Sequence, residues 1–142
     1  MISPEDLKLA PNHPINSADH SRPPACVLLV EDDPSLRRYL EILIQRAGYE
    51  VVCAGDGLEA MKVLLSKPID VVVTDALMPN LNGYELSRFV RSSPQLAALP
   101  IVLLSALDPR NAEAEHVDAF IAKPVDHDEL LSCLGRFSKR GS

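Results

Sequence analysis

The sequence is short of positive charge: 14 lysines and arginines stand against 20 aspartates and glutamates, a formal net charge of -6 over 142 residues. Nucleic-acid binding needs a basic face to neutralise phosphates, so this balance argues against that role and favours protein and small-ion partners. Cysteine is scarce and odd in number. Cys26, Cys53 and Cys133 stand far apart in apolar runs, which predicts buried free thiols rather than disulfides or a zinc site. No stretch approaches the roughly 18 to 20 apolar residues of a membrane span. The start, Met1 to Ala25, lacks the basic opening and long apolar run of a secretory signal, so a cytoplasmic protein is expected. A glycine-rich turn after the first apolar run is also missing: Glu31-Asp32-Asp33-Pro34 stands there, which argues against dinucleotide binding.

What is present is enough apolar sequence, 46%, for one ordinary core. Pro4, Pro11, Pro14, Pro23 and Pro24 among polar residues mark 1–25 as a flexible or loosely packed tail or linker. Residues 26–137 read as the domain and 138–142 as a polar C-terminal tail. Within the domain, apolar runs alternate with helical patterns, the rhythm of a parallel sheet with helices on both faces. Strands are expected at Cys26–Val30, Glu50–Ala54, Val71–Thr74, Ile101–Leu104 and Phe120–Ala122. The first helix opens at Asp33-Pro34 and turns Leu36, Tyr39, Leu40, Leu43, Ile44 and Ala47 inward. The second, Gly57–Ser66, presents Leu58, Met61, Val63, Leu64 and Leu65, the third Leu86, Phe89 and Val90. The last runs from Asp126, its cap, to Phe137.

The chemistry gathers where these strands end. Glu31 and Asp32 follow the first strand and Asp75 the third, at the carboxyl edge where open α/β sheets hold their ligands. Clustered carboxylates repel one another unless a hard divalent cation such as Mg²⁺ joins them. A carboxylate held rigidly at the tip of a central strand is also a nucleophile, since aspartyl-phosphate formation is an established covalent route. Lys123, before Pro124, is aimed at the same edge and matches a phosphoryl group as a point charge. Ser105 adds a hydroxyl to the rim.

Leu28-Leu29-Val30-Glu31-Asp32-Asp33, Val73-Thr74-Asp75-Ala76-Leu77-Met78-Pro79-Asn80-Leu81-Asn82-Gly83, Leu99-Pro100-Ile101-Val102-Leu103-Leu104-Ser105-Ala106 and Phe120-Ile121-Ala122-Lys123-Pro124 together resemble the receiver domain of two-component response regulators, from about Cys26 to Phe137. The resemblance implies a doubly wound (βα)5 fold, five parallel strands in order 2-1-3-4-5. It implies that Asp75 accepts a phosphoryl group from a histidine kinase or histidine phosphotransfer protein. Asp32 and Asp75 would ligate Mg²⁺ directly, with Glu31 nearby and the backbone carbonyl of Leu77 as a further ligand. Ser105 would hydrogen-bond the phosphoryl oxygen, Lys123 would pair with it, and Phe120 would swing inward as Ser105 moves. A downstream protein target or homodimer would read the switch.

Departures from the family pattern shape further expectations. Phe120 lacks a hydroxyl, so its signal rests on ring packing. The interval from Ser105 to Lys123 is about one helical turn, roughly 4 residues, shorter than usual and lacks the Gly-Ala turn before the fifth strand. A short or irregular fourth helix is therefore expected. Asn82 replaces a frequent aspartate, with no harm expected. Leu77 and Leu107, two positions past Asp75 and Ser105, offer no group to orient a hydrolytic water, which predicts slow self-dephosphorylation.

An aspartyl phosphatase would carry a second aspartate two residues after the nucleophile, and Leu77 is there instead, so the chain reads as a signalling receiver rather than an enzyme. The competing reading is a receiver-fold interaction module that works without phosphorylation. His13 and His20 lie in the tail and His116 and His127 read as solvated, so no phosphodonor histidine is expected in this chain. The chain is expected to be either a stand-alone receiver or a piece of a hybrid kinase or longer regulator, with the proline-rich start as linker.

Overall fold

The computed structural model describes residues 23–106 and 116–138. The expectations for the N-terminal tail, for the fourth helix and Leu107, and for the end of the C-terminal tail therefore fall wholly or mostly outside the described residues. Strands β1 (Cys26–Val30), β2 (Glu50–Ala54), β3 (Val71–Asp75), β4 (Ile101–Ser105) and β5 (Ala119–Ala122) form one sheet in the order β2-β1-β3-β4-β5. All four pairings are parallel. Helices α1 (Pro34–Arg46), α2 (Gly57–Ser66), α3 (Gly83–Ser92) and α4 (His127–Phe137) are the four among the described residues.

The alternating strand periodicity sorts the core into two layers. Val27, Leu29, Val71, Val73, Val102, Leu104 and Ile121 pack with Leu40 and Ile44 of α1 and with Leu130, Cys133 and Leu134 of α4. Leu28, Val30, Val72 and Ile101 pack with Ala60 and Leu64 of α2 and Leu86 and Val90 of α3. Every residue of β3 and β4 is buried, as the continuous apolar runs require of central parallel strands. Each fully buried valine or leucine contributes about 1.5–3 kcal/mol relative to exposure, which fixes the tips of these two strands.

The strand ends refine the sequence reading where it matters. Strands β3 and β4 each run one residue further than expected, because Asp75 pairs with Leu104 and Ser105 with Ala122. Asp75 and Ser105 are thus the last residues of strands, not the first of loops. Asp33 caps α1, its carboxylate accepting from the Ser35 and Leu36 amides, and Asp126 caps α4. Gly48, at φ 103°, ends the α1 turn in the left-handed region that glycine enters freely.

Four inward assignments are corrected, the first at Ala47, which is exposed at the end of α1. Tyr39 is 51% exposed, Leu58 48% and Leu65 71%. In α1 the inward stripe runs through buried Leu40 and Ile44 and partly buried Leu36 and Leu43, leaving Tyr39 at its edge. In α2 it runs through Gly57, Ala60 and Leu64. Small residues hold that face because the helix start lies against the backbone at Leu81, where a Cβ on Gly57 would be 2.6 Å from the Leu81 Cβ. Hydrophobicity alone therefore points to the wrong side of its first turn. The three cysteines are free, with Cys133 buried and Cys26 and Cys53 only partly so.

Candidate metal and phosphoryl site

Strand periodicity places Glu31, Asp75 and Lys123 in register with the residues that face α1 and α4, and distances show that they meet. Lys123 Nζ lies 3.0 Å from Asp75 Oδ1 and 3.4 Å from Glu31 Oε1. Glu31, one residue beyond β1, is 1% exposed, and its backbone amide donates to the Ala54 carbonyl at 3.1 Å. Its Oε2 accepts from the Asp33 amide at 3.1 Å, so both carboxylate oxygens are partnered. Burial pushes the Glu31 carboxyl above its usual range, with the Asp33 amide and Lys123 opposing and Asp75 reinforcing the rise. For Lys123, burial acts downward, but the ion pairs with Asp75 and Glu31 outweigh it and hold the ammonium pKa above its ordinary value.

Asp32 is exposed and Asp75 is buried. One carboxylate oxygen from each of Glu31, Asp32 and Asp75 lies within 4.8 Å of the others. Three hard oxygen donors converging at that spacing fit a divalent cation of the Mg²⁺ or Ca²⁺ type. Lys123 lies on one flank of this cluster and leaves Asp32 open to solvent.

Ser105 is buried, and its backbone carbonyl accepts from the Lys123 amide at 2.9 Å, which ties the ends of β4 and β5 together. Leu103 pairs with Phe120 and Ser105 with Ala122, so Ser105 and Phe120 share the sheet face opposite the α1 and α4 layer. Phe120 is half-buried. The Leu77 side chain is 64% exposed.

The β3–α3 loop carrying Leu77 is closed on itself. The Ala76 amide donates to the Leu104 carbonyl at 2.8 Å and the Gly83 amide to the Ala76 carbonyl at 2.9 Å. Asn82 and Glu85 form a reciprocal capping box at the start of α3, so the asparagine expected to be harmless is a working cap. Two contributors escaped the sequence reading. Arg37 of α1 donates to the Glu31 carbonyl at 2.7 Å, and Asn80 donates to Asp56 Oδ2 at 2.8 Å. Arg37 sits one turn into a helix, where arginine is usually solvated, and Asn80 and Asp56 are separated by a strand and a helix, so no local pattern marks either.

The family model of the response regulator receiver domain matches residues 27–134. The chain belongs to that family. It is 35% identical over 133 residues to the CAI-1 autoinducer sensor kinase/phosphatase CqsS of Vibrio cholerae, covering 90% of this chain and 19% of that protein. It is 31% identical over 121 residues to the transcriptional regulatory protein GltR of Pseudomonas aeruginosa, covering 80% of this chain and 49% of GltR. The receiver thus spans half or less of these curated relatives. Among solved structures, the receiver domain of a signal transduction histidine kinase from Syntrophus aciditrophicus superposes with TM-score 0.75 at 31% identity, covering 83% of this chain and 95% of that one. The response regulator TrrA of Thermotoga maritima, in complex with Mg²⁺ and BeF, does so with TM-score 0.74 at 29% identity, covering 80% and 98%. Both the family and the 2-1-3-4-5 sheet expected from the sequence are established by these matches and by the strand order.

Proposed function

We propose that this receiver accepts a phosphoryl group on Asp75 from a histidine kinase or histidine phosphotransfer protein, in the presence of Mg²⁺, and switches conformation in response. The observation that carries the reading is the meeting of Lys123 with Asp75 at 3.0 Å beside the three-carboxylate cluster. Asp32 and Asp75 would hold the ion, with Glu31 behind them and the Leu77 carbonyl as a further ligand. When bound, Mg²⁺ supplies positive charge to the oxygens of the transferring group. The Asp75 carboxylate attacks phosphorus, a P–O bond forms, and the P–N bond to the donor imidazole breaks with its electron pair returning to nitrogen.

Lys123 is already beside the attacking Asp75 carboxylate and pairs with the charge of about -1.5 to -2 that arrives. The Ser105 hydroxyl donates to a phosphoryl oxygen. Its movement makes room for the Phe120 ring on the same sheet face, a shift of population between two packings. A downstream protein or a second copy of the chain would read that shift. The chain catalyses only its own phosphoryl transfer and a slow self-dephosphorylation, and acts in the cytoplasm without contacting nucleic acid through this domain.

A small phosphodonor such as acetyl phosphate with Mg²⁺ should label the wild type and leave Asp75→Asn unlabelled. Equal labelling of both, or of neither, favours the competing reading, a receiver-fold interaction module independent of phosphorylation.

A further inference from the structure

The β3–α3 loop is anchored at its start through Ala76 and at its end through Asn82 and Gly83. A third anchor comes from a different part of the chain. Asp56, the cap of α2, accepts from the Glu59 amide with Oδ1 at 2.8 Å and from the Asn80 side chain with Oδ2 at 2.8 Å. Asn80 has φ 71°, a left-handed conformation that asparagine tolerates better than most residues. Beside it, the Gly57 Cα lies so close to Leu81 that no side chain fits between them.

Leu77, Met78 and Pro79 therefore span the short gap between two fixed points, Ala76 and Asn80, and Pro79 has its own φ set by its ring. A backbone carbonyl in such a span has few directions open to it. We infer that Asn80, clamped by Asp56, is a positioning residue that pre-orients the Leu77 carbonyl toward the acidic cluster and so sets the affinity for Mg²⁺. The inference rests on the reading of Glu31, Asp32 and Asp75 as a Mg²⁺ site. Partners that orient a ligand without touching the metal are worth on the order of 10-fold or more in affinity.

The test is calorimetric titration of Mg²⁺ into the unphosphorylated full chain, with thermal unfolding in chelator recorded alongside. Asn80→Gly keeps the left-handed backbone and removes the clamp, and it should raise the Mg²⁺ Kd on the order of 10-fold. Asn80→Asp sets two carboxylates against each other. Adding Asp56→Asn to it restores a charge-assisted hydrogen bond of opposite polarity while the amide oxygen still caps α2, and this pair should return the Kd to within about 3-fold of wild type. A merely structural role would lower the melting temperature without moving the Kd. The inference is overturned if Asn80→Gly binds Mg²⁺ within about 2-fold of wild type, or if the swapped pair binds no better than Asn80→Asp. A wild type that takes up no Mg²⁺ would remove the metal-site reading together with the inference, whereas wild-type binding with unaffected variants removes the inference alone.

Discussion

Lys123 Nζ lies 3.0 Å from Asp75 Oδ1, so the carboxylate assigned as phosphoacceptor meets its counter-charge before any phosphoryl group arrives. The same ammonium serves Glu31, which is 1% exposed and would otherwise be a buried anion supported by one amide. Lys123 and a divalent cation bound at the proposed site would thus compete for the same negative charge. Lys123→Ala is expected to lower stability in chelator by about 2 kcal/mol, below the cost at a fully buried pair because the ammonium keeps some contact with water. With Mg²⁺ present the loss should shrink, since the variant binds the ion roughly several-fold tighter. Denaturant unfolding with and without Mg²⁺ checks this, and an equal loss under both conditions excludes competition.

Leu77 is 64% exposed, which puts an alkyl side chain at the surface of the site, two residues from Asp75. A hydrolytic water approaching an acyl phosphate there finds no hydrogen-bonding side chain at this position. Leu77→Asn is expected to speed dephosphorylation on the order of 10-fold, since an oriented water needs less reorganisation in the transition state. Phosphoryl half-lives of the purified proteins decide it. A wild-type half-life of seconds, unchanged by the substitution, rules the idea out.

The strands were legible because Val71-Val72-Val73 and Ile101-Val102-Leu103-Leu104 offer no plausible fate but a sheet buried on both faces. The acids were legible because they follow those runs directly. Their division of labour was less so: Glu31 is buried against Lys123 while Asp32 faces solvent, a difference decided by strand register rather than by residue type. The buried side of α2 was misread at Leu58 and Leu65 because the close approach of Gly57 to Leu81 is a contact between segments distant in sequence. Asp56 and Asn80 escaped notice for the same reason, since each alone reads as an ordinary turn residue.

Asp56 also has a pH signature. The Glu59 amide foremost, and then the Asn80 side chain, hold its carboxyl below the usual 3.8. A group whose folded pKa is depressed contributes stability that is present above its unfolded pKa and lost as pH falls through the folded value. Wild type should therefore lose stability more steeply than Asp56→Ala below about pH 4, with no difference in slope between about pH 5 and 7. Carboxyl NMR titration should place Asp56 below its ordinary value and show it rising in Asn80→Gly. A normal titration in wild type contradicts the hydrogen-bonding seen here.

Two glycines separate space from conformation. A Cβ on Gly83 would press on the Asp75 carbonyl and come within 2.9 Å of Leu103 Cδ1, whereas a Cβ on Gly135 meets nothing within 4 Å. Gly135 lies inside α4, where glycine is the costlier residue in conformational entropy. Gly135→Ala should thus stabilise the domain by about 0.5–1 kcal/mol and leave Mg²⁺ binding unchanged. Gly83→Ala should destabilise by about 1–3 kcal/mol through overpacking. Because the displaced group is the backbone of Asp75 itself, the same change should weaken Mg²⁺ binding as well. Chemical denaturation and Mg²⁺ titration of both variants read the two effects separately, and a Gly83→Ala protein with wild-type Mg²⁺ affinity would show that the Asp75 carboxylate is held in place independently of the close contact behind it.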